Sequence, residues 1–337
     1  MKGPLGLRNQ PRKGVGLVAG GLQPPAAALK NQAIMSQSIP QGFAKRIVDR
    51  HGAEGQAWLA RLPKRLAGLA ARWQLLLQPP FKLSYNYVAP VIRADGTTAV
   101  LKIGYPSPEL LAEMETLRLY NGRFACQLLA ADPSQYAMLL EQIQPGQPLW
   151  SLADDDAETE AAAQLMQQLW QPIAAEDHPI LPSLARWTGA LRRLEAYFED
   201  GVGPFPRRLL ETAVSLRAEL LADDIPPMLL HGDFHHENVL TAHRRPWLAL
   251  DPKGVIGDPA YEVGAFLYNP KPEQVAEKKR ITRRIDIFSD ILNIDRQRLI
   301  RWGIVQAVLS AVWRYEDHHG SLSPTLLVAD VLCHLQT

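Results

Sequence analysis

Cysteine is scarce. Cys126 and Cys333 are the two in 337 residues, far apart and with no CxxC pair. That excludes a disulfide framework and a cysteine-built zinc site, and it makes a reducing cytosol the expected compartment. An excess of one charge is missing as well, since 36 basic residues face 35 acidic ones. No global field draws the chain to nucleic acid, so recognition has to come from local sites. No apolar run reaches the ~20 residues needed to cross a bilayer, so no membrane partner is expected. Acidic residues are absent from residues 1–34, which carry Lys2, Arg8, Arg12, Lys13 and Lys30 among frequent glycine and proline. This stretch lacks the sustained apolar centre of a signal peptide and reads as a disordered extension. Patterned sequence begins soon after Met35, a candidate start.

Residues 35–78 read as an N-terminal helical segment. Phe43, Ile47, Trp58, Leu62, Leu66, Leu69 and Trp73 recur at helical spacing, Gly52 and Gly55 break the run into two helices, and Pro79-Pro80 ends it. A β-rich segment over 79–145 follows. Tyr87–Arg93 and Thr97–Ile103 flank Asp95-Gly96, a strong hairpin signal. A helix fits Pro108–Asn121 with Gly122 as its stop, then strand-like runs cover Ala125–Ala130 and Tyr136–Ile143. Residues 146–337 are mostly helical, at about 155–170, 184–200, 206–222, 272–292, 296–318 and 323–335. A motif-dense stretch, residues 228–270, lies between them, with strand fragments Met228–Leu230 and Trp247–Asp251. The class is α+β: a small sheet lobe followed by a larger helical lobe.

The chemistry concentrates in His231-Gly232-Asp233-Phe234-His235-His236-Glu237-Asn238 and Leu248-Ala249-Leu250-Asp251. An aspartate, an asparagine five residues on and a second aspartate 18 residues after the first suit phosphoryl transfer. One carboxylate orients a hydroxyl and accepts its proton, while an amide oxygen and the other carboxylate are hard ligands for Mg2+ against phosphates. The spacing predicts that Asp233 and Asn238 share a loop, and that a hairpin returns Asp251 beside Asn238. Such chemistry also needs a sheet lysine aimed by a helix glutamate. Lys102, in Ala99-Val100-Leu101-Lys102-Ile103, is the candidate lysine. Glu113 lies on the inward stripe with Leu110, Met114, Leu117 and Tyr120, where a carboxylate needs a cation.

At these residues the chain resembles the aminoglycoside/hydroxyurea resistance kinase family. Further matching segments are Trp58-Leu59-Ala60-Arg61-Leu62-Pro63, Leu117–Gly122, Asp251-Pro252-Lys253-Gly254-Val255-Ile256-Gly257-Asp258-Pro259-Ala260-Tyr261-Glu262 and Ala311–Asp317. The resemblance implies a protein-kinase-like two-lobe fold, ATP and Mg2+ as cofactors, and transfer to a hydroxyl of a small cationic acceptor, an aminoglycoside such as streptomycin. It places Asp233 as base, Asn238 and Asp251 as metal ligands and Lys102 as phosphate contact, with Asp258 bracing the catalytic loop. It also likens Leu140-Glu141-Gln142-Ile143 to an adenine-receiving hinge.

The chain departs from the protein-kinase pattern at Ser84-Tyr85-Asn86-Tyr87, which has no glycine where phosphate is approached and two bulky rings instead. His231 reads as a structural brace of loop backbone. His235, His236, Glu262, Trp313, Glu316 and Asp317 are candidates for the acceptor side, the carboxylates because a cationic acceptor needs them. Other readings stay open at this stage. The acceptor is an endogenous amino alcohol, sugar or nucleoside; or the two tyrosines block nucleotide and the chain is a pseudokinase-like binding protein; or the histidines belong to a metallohydrolase, although His243, His318 and His319 complete no ligand set.

Overall fold

Helix α1 (Gln41–Arg72) opens the computed structural model, which describes residues 39–198, 203–318 and 324–336. The reading of residues 1–34 as an extension lies outside the described residues. Gly52 breaks α1 in two, with φ 56° and ψ −135°, whereas Gly55 stays helical. The apolar stripe of α1, including Phe43, Ile47, Trp58, Leu62 and Leu66, forms one core with the outer face of a sheet.

That sheet is antiparallel and five-stranded, in the order β1-β2-β3-β5-β4. Its strands are β1 (Leu75–Leu77), β2 (Asn86–Arg93), β3 (Thr98–Gly104), β4 (Leu128–Asp132) and β5 (Ala137–Glu141). Side chains alternate between faces along a strand, so register decides which residues meet the cleft. Tyr87 opposes Ile103 and Ala89 opposes Leu101 on the α1 face. Val88 and Met138 both oppose Lys102, which puts Lys102 on the other face. Helix α2 (Pro108–Tyr120) covers that second face. The Ser107 hydroxyl caps it by accepting the Leu110 N–H at 3.2 Å, Pro108 fits its first turn, and Asn121 in the left-handed region (φ 48°) ends it.

The second lobe holds α3 (Asp155–Leu169), α4 (Leu184–Trp187), α5 (Ala190–Tyr197), α6 (Arg207–Ala222), α7 (Val263–Leu267), α8 (Pro272–Val275), α9 (Lys278–Leu292), α10 (Arg296–His318) and α11 (Thr325–Cys333). Helix α10 is the axis of this lobe. Leu299, Trp302, Val305, Leu309 and Val312 are all fully buried in its core, as expected of a helix apolar nearly all round. Two small sheets sit on the cleft side. One orders β10 (Trp247–Ala249), β9 (Val239–Ala242) and β6 (Pro145–Pro148); the other orders β11 (Val255–Gly257), β8 (Met228–Leu230) and β7 (Gln171–Pro172).

Several expected boundaries move. α1 stops at Arg72, and Leu75–Leu77 form an edge strand before Pro79-Pro80, because three leucines in a row carry no period to separate strand from helix. The run at Ala125 begins regular pairing only at Leu128; Ala125 instead bridges to Ala249 of the other lobe. The helix expected over 184–200 is split at Thr188-Gly189, and that over 272–292 at Ala276-Glu277.

Leu62 is fully buried between α1 and the sheet. Leu62→Ala is expected to lower the stability of the sheet lobe by about 2–5 kcal/mol. Denaturant unfolding followed by Trp fluorescence checks this, and a loss below ~1 kcal/mol would contradict the packing role of α1.

Candidate active site

The catalytic-loop candidate, residues 231–238, leaves β8 and enters β9. β8 is apolar and pairs with β11 from Leu230↔Val255 to Met228↔Gly257, which seats the start of the loop against the chain that follows Asp251. Gly232 has φ 83°, and a Cβ there would lie 2.6 Å from Val255 Cγ2 and 3.2 Å from Lys253 Cβ. Glycine is therefore required for the loop to lie this close to the next segment. The β9–β10 hairpin continues one step beyond the strands, as the Leu250 N–H donates to Asn238 O at 3.0 Å. Asp251 follows immediately, so the hairpin returns it beside Asn238. Its φ of 60° is uncommon for a non-glycine residue and turns the chain toward the cleft.

Lys102 Nζ donates to both Glu113 oxygens at 2.7 Å and also bonds Asp251 Oδ1. These contacts join β3, α2 and the second lobe in one charge cluster. Lys253 extends it: its Nζ lies 3.0 Å from Asp251 Oδ2 and 3.6 Å from Asp233 Oδ2. Burial depresses Lys102, but the charges of Asp251 and Glu113 overcome that and hold its pKa above the ordinary lysine value. Burial would raise Asp251; Lys102 and Lys253 outweigh it and keep the carboxyl well below its usual range. Glu113, the most enclosed of the three carboxylates in the cluster, is pushed up by burial to about 7 against the pull of Lys102. Lys253 stands in the Asp251–Glu262 segment with no role that its residue type or spacing alone assigns. Its reach to Asp233 depends on the left-handed turn at Asp251, which no local pattern announces.

Asn238 Nδ2 donates to Asp233 O at 2.9 Å and lies 3.2 Å from His235 Nε2. The amide nitrogen is thus committed, and the oxygen is the atom left for a cation. Among the described residues no group of three His, Cys, Asp or Glu side chains is placed to cage a metal by itself. A pair of hard oxygen donors from Asn238 and Asp251 fits Mg2+ shared with phosphate, which keeps few protein ligands.

Other candidates find different surroundings. His231 is fully buried; its Nδ1 accepts the Asp233 N–H at 3.3 Å and its Nε2 donates to Leu250 O at 2.8 Å, so it ties the loop to the Asp251 hairpin. Glu262 is not on an acceptor surface. It is 1% exposed, and its two oxygens accept the His231 and Gly232 N–H groups at 2.6 and 2.8 Å. It is the direct brace of the loop, and burial pushes its carboxyl up to about 7 against those N–H groups. Asp258 instead accepts from Ala260 N at 3.0 Å, Arg298 Nε at 2.7 Å and Trp302 Nε1, anchoring the end of β11 to α10. His236 is also removed from any acceptor surface: it is fully buried, stacked on Phe266 at 4.0 Å and 3.4 Å from Glu158. His235 stays at the cleft, 3.7 Å from Asp233 Oδ1.

Farther along, Trp313 meets Trp187 edge-on at 5.3 Å and Glu316 lies 3.7 Å from Arg193. The Asp317 side chain lies outside the described residues. Burial raises the Tyr261 and Tyr268 phenols, and the Asp233 charge adds to both shifts.

On the nucleotide side, Tyr87 is buried on the α1 face and Tyr85 lies under the Arg50 guanidinium, 5.0 Å from ring centroid to Cζ. Tyr87 therefore lies on the sheet face opposite Lys102. Ser84 is exposed, and its carbonyl accepts from Arg46 Nε at 3.1 Å. The Glu141 side chain does not face the cleft. It takes a two-pronged bond from Arg244, both contacts at 2.7 Å, and accepts the Gln127 N–H at 3.0 Å. The same guanidinium donates to Gly122 O and Ala125 O at 2.6 and 2.7 Å. Arg244, on the turn of the β9–β10 hairpin, therefore locks the hinge strand and the end of α2 to the lobe that carries Asp251. Ile143, two residues after Glu141, is half-buried.

Burial lowers the His231 pKa from its ordinary 6.5 to about 4. The unfolded chain then takes up a proton that the folded chain refuses. Stability from this group is complete above pH 6.5 and is lost as pH falls toward 4, by up to about 1.4 kcal/mol per unit. Melting temperatures measured from pH 7 to 4.5 are expected to fall, and less steeply in His231→Gln. Equal slopes in the two proteins would contradict the buried neutral histidine.

The sequence profile of the aminoglycoside/hydroxyurea antibiotic resistance kinases matches residues 76–318. A streptomycin 6-kinase of Streptomyces glaucescens is 35% identical over 294 residues, covering 85% of this chain and 94% of that protein. A hydroxyurea phosphotransferase of Kitasatospora aureofaciens is 33% identical over 285 residues, covering 83% and 82%. Among solved structures, a choline kinase from Streptococcus pneumoniae superposes with a TM-score of 0.56 at 12% identity, over 79% of this chain and 96% of that one, which shows the shared kinase-like fold. With the charge cluster in the cleft and these likenesses along most of its length, the chain belongs to the aminoglycoside/hydroxyurea antibiotic resistance kinase family.

Proposed function

We propose that this protein transfers the γ-phosphoryl group of ATP to a hydroxyl of streptomycin or a near relative, with Asp233 as the base. The observation that carries this reading is the convergence of Asp233, Asn238 and Asp251 with Lys102 in one cleft. The streptomycin 6-kinase likeness supports the choice of acceptor.

Asp233 accepts a hydrogen bond from the acceptor hydroxyl, aligns its lone pair with phosphorus and takes the proton late. Lys102, held by both oxygens of Glu113, fixes the nucleotide phosphates. The backbone around Ile143, with Ser84 at the cleft edge, completes the nucleotide side. Asn238 Oδ1 and Asp251 would hold Mg2+, which would neutralise phosphate charge. His231 and Glu262 keep the loop from relaxing, so alignment and charge placement do most of the work. A cationic acceptor suits a cleft that ends in the Asp233 carboxylate. His235, Trp313 and Glu316 are the remaining acceptor-side candidates in this reading. Near-balanced charge and the free thiols of Cys126 and Cys333 support a cytoplasmic enzyme with no nucleic-acid partner.

Purified protein with MgATP is expected to release ADP on addition of streptomycin and to yield a phosphorylated product by mass spectrometry. No transfer to streptomycin or related aminoglycosides would overturn the acceptor assignment; hydroxyurea is the second acceptor to assay, on the strength of the hydroxyurea phosphotransferase likeness. Asp233→Asn should lower kcat by about 10²–10⁴-fold while nucleotide affinity is kept. Retained turnover would remove Asp233 from the role of base. Asp251→Asn should abolish the magnesium dependence of nucleotide binding in calorimetry, and an unchanged dependence would contradict its role as ligand.

A further inference from the structure

We infer that Lys253 is a catalytic residue that contacts the phosphoryl group during its transfer, an inference that rests on the kinase reading above. The two ammonium groups of the cluster are not equivalent. Lys102 is shared between both Glu113 oxygens, within its own lobe, and Asp251 Oδ1 across the cleft. Lys253 is on the opposite oxygen of Asp251, 3.0 Å away, and reaches 3.6 Å from Asp233 Oδ2. It stands between the carboxylate assigned to the metal and the one assigned to the acceptor hydroxyl. A phosphoryl group passing from nucleotide to acceptor has to cross that interval.

The base of this side chain is built into the catalytic loop. The Lys253 N–H donates to His231 O at 2.6 Å, and the Gly254 N–H donates to the same oxygen at 3.2 Å. Gly232 lets this segment pack close: at φ 83° a Cβ there would clash with Val255 Cγ2 at 2.6 Å and press on Lys253 Cβ at 3.2 Å. The loop offers no lysine or arginine between Asp233 and Asn238, where Phe234, His235, His236 and Glu237 stand, and His235 is the other nitrogen base near Asp233, 3.7 Å from Oδ1. Of these, His236 is fully buried and His235 faces the Asn238 amide.

The step balances without further reactants. The bond between γ-phosphorus and the bridging oxygen of ATP breaks, and its electron pair leaves on ADP. The acceptor oxygen forms the new bond to phosphorus, and its proton passes to Asp233. Lys253 keeps its proton and donates to the equatorial phosphoryl oxygens, whose charge an aimed cation stabilises most in the transition state.

Lys253→Met and Lys253→Arg test this. The methionine variant should lose about 10²–10³-fold in kcat, with KM for ATP and acceptor changed far less, and the arginine variant should recover part of it. The second readout is binding alone. Calorimetry with Mg·ADP should show tightening on addition of aluminium fluoride, a mimic of the transferring phosphoryl, in wild type and not in Lys253→Met. Equal tightening in both proteins, or a kcat within about threefold of wild type, would overturn the inference. A merely structural lysine would lower the melting temperature and weaken Mg·ADP with and without fluoride alike, which also overturns it. If wild type itself transfers no phosphoryl group to any acceptor while Asp233→Asn behaves like it, the failure lies with the kinase reading and not with Lys253.

Discussion

One alternating line of charge holds the two lobes in register: Glu113, Lys102, Asp251, Lys253, Asp233. Each member has an opposite charge beside it; Lys102 meets Glu113 at 2.7 Å, and Lys253 lies 3.6 Å from Asp233. Taking such groups out of water costs several kcal/mol per ion, so the arrangement persists only because every buried charge is matched. It is a weak source of stability and a strong source of specificity. Remove one member and a neighbour is stranded in low dielectric. The same property suits it to phosphate chemistry, since a site that balances carboxylates with lysines can exchange those contacts for phosphate oxygens and a divalent cation.

The rest of the fold serves the position of that line. β-sheet register turns Lys102 away from α1, and the Ser107-capped helix α2 places Glu113 opposite it. The β9–β10 hairpin returns Asp251, His231 and Glu262 pin the loop that carries Asp233, and Asp258 fastens the following turn to α10. Arg244 closes the frame at the hinge. With Glu141, Gly122 and Ala125 all on one guanidinium, and the Cys126 N–H donating to Ala249 O at 2.7 Å, the end of α2 is joined to the β9–β10 hairpin.

Much of this was legible in residue order, for physical reasons that can be named. Glu113 was selected because a carboxylate on an apolar stripe requires a cation, and the structure pairs it with Lys102 through both oxygens. The return of Asp251 followed from a short hairpin between two apolar runs. Glu262 and His236 were misplaced for the opposite reason: both are polar residues inside a motif, and sequence cannot distinguish a polar side chain facing a ligand from one satisfying buried backbone or stacking in a core. Glu262 satisfies buried backbone and His236 stacks in the core. Lys253 was overlooked because its partners are set by a left-handed residue and by contact between segments some 20 positions apart. The strands Leu75–Leu77, Gln171–Pro172 and Val255–Gly257 escaped because two or three residues carry no measurable alternation.

The most direct test of the charge line as a phosphoryl-transfer site is a crystal structure with Mg2+ and a non-hydrolysable ATP analogue. The expected result has the metal on Asn238 Oδ1 and Asp251, Lys102 still on Glu113, and the γ-phosphorus facing the Asp233 carboxylate. Nucleotide bound elsewhere, or phosphates seated in the cleft without touching Asn238 or Asp251, would contradict the account.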